Sequence, residues 1–202
     1  MTTRVRRDPD VAKRLILEAA SELLAAGGPS AVQVRAVGAA IGVSDAAINH
    51  HFGTRDQLLE ALLRFGGAKL RAELRAVLET WNHGPADPAG LVRALHRMYA
   101  EGYAELARAL HRSGWGDTGS GMLNEVVDRL YTEARRQSAT SGRRAPSRED
   151  IQVTVAAMHQ AMVMEPLFGD EFRRSVGLDG TAADRLIDWW IQVLRTPVSC
   201  SA

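Results

Sequence analysis

Side chains suited to binding a nucleic acid duplex occur close together between residues 35 and 55. Asp45, Ala46, Asn49 and His50 fall on one outward face of a short helical segment, where they can meet base edges and phosphates in a groove. Arg55 follows at the start of another predicted helix, where its guanidinium and the helix dipole both favour a phosphate. The spacing therefore indicates binding chemistry directed at DNA.

A predicted helix over residues 34–41 precedes this face. Its apolar stripe has the i, i+3, i+4, i+7 spacing of an α-helix and consists of Val34, Val37, Gly38 and Ile41. Gly42 can take the left-handed conformation that ends a helix, and Val43 can then turn inward to close the corner.

The next helix begins at Ser44, whose hydroxyl can accept from the free backbone N–H groups of the first turn, while Asp45 complements the helix dipole. Gly53 ends this helix, and Thr54 stands at capping-box spacing from Gln57 at the start of a third helix. The inward-facing residues are Ala47, Ile48 and Phe52. These signals predict a helix-turn-helix; the alternative is an ordinary αα-corner whose outward polar residues are only solvated.

Residues 14–62, about a quarter of the chain, resemble the DNA-binding domain of the TetR family of transcriptional regulators. The similarity rests on Ile16, Leu17, Ala19, Ala20, Gly28, Val34, Val37, Gly42, Val43, Ser44, His51, Phe52, Arg55, Leu58 and Leu59. Three positions depart from the family pattern. Gln33 stands where Ser or Thr usually caps the second helix, Gly38 where Ala is usual, and Asn49 where a Tyr usually reaches a phosphate.

The resemblance implies an all-α protein with a three-helix DNA-binding domain at residues 1–55 and a helical effector-binding and dimerisation domain at residues 56–202. It implies a homodimer that binds a pseudo-palindromic double-stranded DNA operator as a repressor and is released by a small molecule. The predicted DNA-binding residues are Gln33, Arg35, Ser44, Asp45, Ala46, Asn49, His50, Thr54 and Arg55. Two alternatives stay open: a constitutive or protein-partnered DNA binder without a ligand, and a helical effector-binding protein with a vestigial helix-turn-helix.

Composition sets bounds on this interpretation. With 202 residues and 46% hydrophobic content, the chain can bury a core in one or two domains. A net charge of +1 excludes a polycation that coats nucleic acid indiscriminately, so DNA affinity must come from local placement. The single Cys200 excludes a disulfide framework, and no apolar run approaches the ~18 residues of a membrane span. We therefore expect a cytoplasmic protein without a membrane partner.

The chain before the helix-turn-helix contains a basic segment and one strongly patterned helix. Arg4, Arg6 and Arg7 could contact the DNA backbone or minor groove, or form a solvated terminus. Pro9 suits the first position of a helix. The helix stripe consists of Ala12, Leu15, Ile16, Ala19, Ala20 and Leu23, and we expect the helix to end at the Gly27, Gly28, Pro29 sequence.

Further helices are predicted along the rest of the chain. One runs from about residue 58 to 81, with a possible break at Gly66 and Gly67, and another from 89 to about 111. Loops are expected at residues 83–88, 113–121 and 137–148, with a helix between the last two. A helix from Glu149 is expected to end by Pro166, and the last helix spans Thr181 to Arg195.

The last helix is apolar around most of its circumference, so it must be covered on two sides. In TetR-like proteins the last two helices of each subunit form a dimeric four-helix bundle, and we predict a dimer interface of Met158, Met162, Leu186, Trp189, Trp190, Ile191, Val193 and Leu194. Effector-binding candidates are the aromatic, Met and His residues Tyr99, Tyr103, Trp115, Met122, Met158, His159 and Met162. Any one of these could instead be an ordinary core residue.

Motifs of catalysis are not evident in the sequence. None of the six His residues stands at a recognised metal-ligand spacing from Cys or carboxylates. There is also no phosphate-cradling loop of the GxxxxGK type and no nucleophile elbow. We therefore expect a protein that is not an enzyme, with no catalytic residue, no metal and no cofactor.

Overall fold

The computed structural model describes residues 8–116, 121–142 and 144–196. Within these ranges the chain is helical and contains no β-strand, as the all-α prediction requires. The α-helices are α1 (Pro9–Ala31), α2 (Val34–Ile41), α3 (Asp45–Phe52), α4 (Arg55–Thr80), α5 (Ala89–Met98), α6 (Ala104–Arg112), α7 (Asn124–Ser141), α8 (Arg148–Ser175) and α9 (Ala183–Arg195). A π-helical turn, Tyr99–Tyr103, joins α5 to α6, and a 3-10 turn, Gly180–Ala182, precedes α9.

The chain divides into two compact units. The head unit comprises the described residues up to Lys69 together with Ala100–Gly116. The body unit comprises Leu70–Tyr99 and the described residues from Gly121 onwards. Helix α6 is therefore packed with the head, although it follows α5 of the body in sequence. The predicted domain boundary between residues 55 and 56 stays a prediction. The boundary between the two compact units lies within α4, after Lys69.

In the head unit, α1 is the central helix and packs against α2, α3 and α6. Its first turn is capped by Asp8, whose carboxylate accepts from the Asp10 N–H at 3.0 Å, and Pro9 occupies the first turn as predicted. Regular helical geometry is interrupted at Gly27 and Gly28, which supports the end predicted there, and one more helical turn follows to Ala31. The fully buried side chains that fill this unit include Leu24, Ile48, Leu58, Leu62 and Leu106.

In the body unit, α8 is the central helix and packs against α5, α7 and α9. Ser147 and Asp150 form a capping box at its start. The core of the unit consists of fully buried apolar side chains that include Leu91, Leu95, Ile151, Met158 and Leu194. Among the described helices, none contains an apolar stretch of the length that spanning a lipid bilayer requires.

The predicted end of a helix at Pro166 is wrong, because α8 continues through this proline to Ser175. Proline removes one backbone hydrogen bond and usually kinks or ends a helix. Here a side-chain interaction spans the weak point, because the buried guanidinium of Arg173 pairs with Glu165 on the other side of Pro166 and with Asp170. Gly169 leaves room for this pairing, since a Cβ there would meet the Glu165 carboxyl group at 2.5 Å.

Three other predicted helix boundaries differ from the structure. The helix expected over residues 89–111 is divided by the π-helical turn, in which Glu101 and Gly102 leave helical geometry. Helix α7 extends to Ser141, so the loop predicted over residues 137–148 is shorter than expected. Helix α4 continues without a break through Gly66 and Gly67, because packing outweighs the cost of glycine within a helix.

Candidate nucleic-acid interface

The turn between α2 and α3 is built by two glycines. Gly42 adopts the left-handed conformation (φ 69°, ψ 35°) and its N–H donates to the Gly38 carbonyl. The Val43 N–H donates to the same carbonyl at 3.0 Å. Gly38, a departure from the family pattern, has a steric reason: a Cβ there would lie 2.7 Å from the Val43 carbonyl oxygen. The corner is therefore tighter than one with alanine at this position.

Helix α3 has one buried side and one exposed side. The Ser44 hydroxyl accepts from the Ala47 N–H at 3.3 Å, the N-cap expected from the sequence. Ile48 is buried in the head core and Phe52 is half-buried. The exposed residues are Asp45, Ala46, Asn49 and His50, the four outward-facing residues predicted for this helix.

The predicted contact residues of α2 are also exposed. Arg35 lies in the first turn of α2 and carries an exposed side chain. Gln33 occupies the N-cap position but forms no side-chain cap; its Nε2 donates to the Ser30 carbonyl at 2.9 Å. The first turn of α2 consequently keeps free backbone N–H groups, which favour an anion such as a phosphate.

The start of α4 contains the predicted capping box. The Thr54 N–H donates to Gln57 Oε1 at 2.8 Å, and the Gln57 N–H donates to Thr54 Oγ1 at 3.3 Å. This pairing orders the chain as it leaves α3 and holds the exposed Thr54 at the same surface.

Arg55 makes internal contacts that sequence reasoning missed. Its Nε donates to the Val32 carbonyl at 2.8 Å, and its Nη2 donates to the Pro29 carbonyl at 2.5 Å. The guanidinium thus binds the free carbonyls left where α1 ends, and its side chain is only 34% exposed. The glycines before Pro29 indicate from the sequence that α1 ends there and leaves carbonyls without a helical partner. The sequence does not indicate that Arg55 donates to them, because Arg55 is more than 20 residues further along the chain. The predicted phosphate contact of Arg55 stays a prediction beside this structural role.

The described part of the predicted site has the chemistry needed to read DNA. An asparagine amide can pair with both N6 and N7 of adenine, an arginine with O6 and N7 of guanine, and an alanine methyl can contact the thymine methyl. Asn49, Arg35 and Ala46 present these three groups at the α2–α3 surface. The basic segment of Arg4, Arg6 and Arg7 lies outside the described residues.

Comparison with known proteins agrees with this geometry. Residues 16–62 match the family model described as bacterial regulatory proteins, tetR family. These residues of the chain thus form a TetR-family segment. The matched residues begin in α1 and end in α4, so they include the whole of α2 and α3.

Proteins similar to part of this chain occur in mycobacteria. The chain is 39% identical over 82 residues to the HTH-type transcriptional repressor Rv3405c of Mycobacterium tuberculosis (strain ATCC 25618 / H37Rv). It is equally similar to the HTH-type transcriptional regulator Mb3439c of Mycobacterium bovis (strain ATCC BAA-935 / AF2122/97). Each match covers 41% of this chain and spans 39% of the relative's length.

The effector-binding candidates are divided between the two units. Tyr103 and Trp115 belong to the head unit, and the other five belong to the body unit. In the body, Tyr99 Oη and His159 Nε2 are 2.6 Å apart, and Met158 and Met162 are buried. Burial lowers the pKa of His159, which favours the neutral ring. Met122 and Trp115 are half-buried. The structure thus joins Tyr99 to His159 within the body unit and assigns Tyr103 and Trp115 to the head unit.

The predicted dimer residues also separate into two groups. Met158, Met162, Ile191 and Leu194 are at most 2% exposed and belong to the core of a single chain. Leu186, Trp190 and Val193 are half-buried, and Trp189 is 55% exposed. A groove of about 340 Å³ between α8 and α9 is lined by apolar residues that include Ala161, Met164, Phe172, Leu186 and Trp190. The accessible apolar surface therefore includes α8 residues that the sequence prediction omitted.

Proposed function

We propose that this chain is a TetR-family transcriptional regulator that binds a pseudo-palindromic operator as a homodimer. The observation that carries the proposal is the exposed face of α3, where polar side chains stand on a helix that is capped by Ser44 and fixed by buried Ile48. A recognition helix needs such a face because its side chains must reach base edges while its other side stays fixed. The printed names of the mycobacterial relatives support the same assignment.

Dimerisation is proposed through α8 and α9. Phe168, Phe172 and Trp189 are 40%, 57% and 55% exposed, and the apolar groove lies between the same helices. Exposed apolar side chains of this size usually mark an interaction surface. A second copy of the chain is the proposed occupant, since two-fold pairing would bury the same surface on both subunits.

We further propose that the regulator is a repressor released by a small molecule. The support is the hydrogen-bonded pair of Tyr99 and His159 within the body unit, which provides polar groups in otherwise apolar surroundings. Such surroundings with a few placed polar groups suit a small organic ligand. A ligand-free regulator is a second candidate, and the complete burial of Met158 and near-complete burial of Met162 favour it.

The test of DNA binding is selection from a random pool of duplexes with the full-length chain. We expect enrichment of an inverted repeat whose half-sites are one turn of B-DNA apart, about 34 to 36 Å, or a multiple of it. The matched control is Asn49→Ala with His50→Ala, which changes exposed side chains but leaves the Ser44 cap and buried Ile48 intact. If wild type enriches no sequence, operator binding is wrong and the vestigial helix-turn-helix is favoured.

The test of effector release uses the reciprocity of coupled binding. A compound that dissociates the selected operator should bind about 5 to 150 times more weakly when the protein is saturated with operator. Calorimetry with and without operator measures this factor. Equal compound affinity in both titrations would contradict allosteric release. A screen in which no compound releases the operator would favour the ligand-free regulator.

A further inference from the structure

Tyr103, expected from sequence to contact an effector, has a hydrogen-bond partner in the head unit. The residue is 3% exposed, and its Oη lies 2.9 Å from Oγ of Ser21 on α1. Burial raises the pKa of Tyr103, so the phenol stays protonated and can form this hydrogen bond at neutral pH. The contact joins residues 82 positions apart in sequence.

The ring of Tyr103 also packs against α4. Gly66 on α4 is buried, and a Cβ built on it would overlap the Tyr103 ring. A glycine within a helix costs about 1 kcal/mol relative to alanine, so this position has a steric function that offsets the loss of helix propensity. The side chain of Tyr103 thus occupies the space left by Gly66 and reaches Ser21 with its hydroxyl.

Gly102 gives the chain the conformation that this placement needs. Its φ of +92° is in a region that residues with a side chain rarely adopt, and a Cβ there would lie 2.9 Å from the Leu24 carbonyl oxygen. Gly102 therefore brings the backbone into close contact with α1 immediately before Tyr103. Gly66 thus makes room for the ring of Tyr103, and Gly102 allows the backbone before Tyr103 to approach α1 closely.

The two helices that Tyr103 contacts are the ones that flank the helix-turn-helix. Helix α1 packs against both α2 and α3, and only two residues separate the end of α3 from the start of α4. We propose that Tyr103 is a positioning residue for DNA binding, which sets the position of α1 relative to α4 and thereby orients α3. The proposal rests on the proposed operator binding, and it assigns the segment Ala100–Arg112 to the DNA-binding machinery.

The principal test compares Tyr103→Phe, Ser21→Ala and the double variant on the operator selected by wild type. Each single variant loses the hydrogen bond between Tyr103 and Ser21. Each should therefore weaken operator binding about fivefold. The double variant should bind no more weakly than the weaker single variant, because both changes remove one shared interaction. Binding is measured at 20 °C after circular dichroism shows that every variant is folded.

Two control variants separate positioning from a general loss of stability. Tyr131→Phe removes the hydroxyl of a half-buried tyrosine on α7, and Val127→Ala removes buried apolar volume from the body unit. Neither should change operator affinity by more than twofold, although Val127→Ala lowers the free energy of unfolding. If Tyr103→Phe also leaves operator affinity within twofold of wild type, Tyr103 is an ordinary core residue and the proposal is wrong.

A second pair of variants tests the fit of the ring. Gly66→Ala should weaken operator binding at least tenfold, because the new methyl group displaces the ring of Tyr103. The double variant Gly66→Ala with Tyr103→Leu should bind the operator at least threefold more tightly than Gly66→Ala alone, since the smaller side chain leaves room for the methyl group. Wild-type affinity in Gly66→Ala, or no recovery in the double variant, would contradict the steric part of the proposal.

Hydrogen exchange separates this proposal from the proposed function. In Tyr103→Phe the backbone amides of α2 and α3 should exchange at least threefold faster than in wild type, without any DNA present. If wild type selects no operator but this acceleration occurs, the proposed function fails while the positioning contact stands. If wild type binds an operator and neither exchange nor affinity changes in Tyr103→Phe, only the positioning contact fails.

Discussion

The head and body units use different means to control where helices end. In the head, Gly42 turns the chain in the left-handed conformation, and Ser44 caps the next helix with its own side chain. In the body, α8 passes through Pro166, and Arg173, further along the same helix, pairs with Glu165 across it. Signals within one helical turn therefore determine the head's corner, whereas in α8 a side-chain pairing over two helical turns offsets the local signal of Pro166.

The units also differ in exposed apolar surface. Within the described residues of the head, Val11 is the one large apolar side chain that is strongly exposed. In the body, the corresponding residues are Val153, Phe168, Phe172, Val176 and Trp189, all on or directly after α8 and α9. The head exposes polar side chains where we propose DNA binding, and the body exposes apolar ones where we propose a second subunit.

The largest expected effect separates the core of α9 from its exposed face. Ile191→Asp should unfold the body unit, because Ile191 is 2% exposed and a buried unpaired carboxylate costs about 4 kcal/mol or more. Trp189→Asp should leave the chain folded but convert dimers to monomers, since this side chain is 55% exposed. Circular dichroism measures the first outcome and light scattering the second. A folded dimer in the Trp189→Asp variant would remove this residue from the proposed interface.

The next effect separates two arginines of the head. Arg55→Ala should lower the free energy of unfolding by about 1 to 3 kcal/mol, because it removes the donors to the Pro29 and Val32 carbonyls. Arg35→Ala should change that free energy by less than about 0.5 kcal/mol, since its side chain is exposed. It should instead weaken operator binding by about 1 to 3 kcal/mol and relax preference at one base position.

Urea unfolding and binding titrations at several salt concentrations measure both arginine variants. Equal stability of the two variants would show that the internal contacts of Arg55 contribute little. A salt slope flattened by about one in Arg55→Ala, with unchanged stability, would favour the phosphate contact expected from the sequence.

The smallest effect concerns the pH dependence of the body unit. Burial lowers the pKa of His159 below its ordinary value of 6.5. The unfolded chain therefore binds the proton more readily, and the stability from neutral His159 is fully present above pH 6.5 and lost as pH falls below it. The loss is at most about 1.4 kcal/mol per pH unit. Urea unfolding measures the free energy of unfolding at pH 7.5 and 5.5. Its decrease between the two pH values should be smaller in His159→Gln than in wild type.

A matched variant makes this comparison specific to the body. His83 is an exposed histidine in the segment between α4 and α5. The His83→Gln variant should show the same decrease in the free energy of unfolding between pH 7.5 and 5.5 as wild type. If His159→Gln shows the full decrease as well, protonation of His159 makes no contribution in this pH range.

The sequence predicted most of the helix-turn-helix because its signals act over a few residues. The Gly42 turn, the Ser44 cap and the pairing of Thr54 with Gln57 all occur as expected. Each depends on a side chain or a backbone conformation within one helical turn, so residue type and spacing are sufficient to identify it. The sequence also predicted which residues of α3 are exposed, because helical periodicity alone divides the two faces.

Only the tertiary structure decided which partner each long-range side chain selects. Arg55 binds carbonyls more than 20 residues away, Tyr103 reaches Ser21 in the head, and Ile191 is buried within its own chain. A helical stripe shows that a residue is covered, but not which helix covers it. The choice depends on the packing of elements distant in sequence, whereas helical spacing is a property of one element alone.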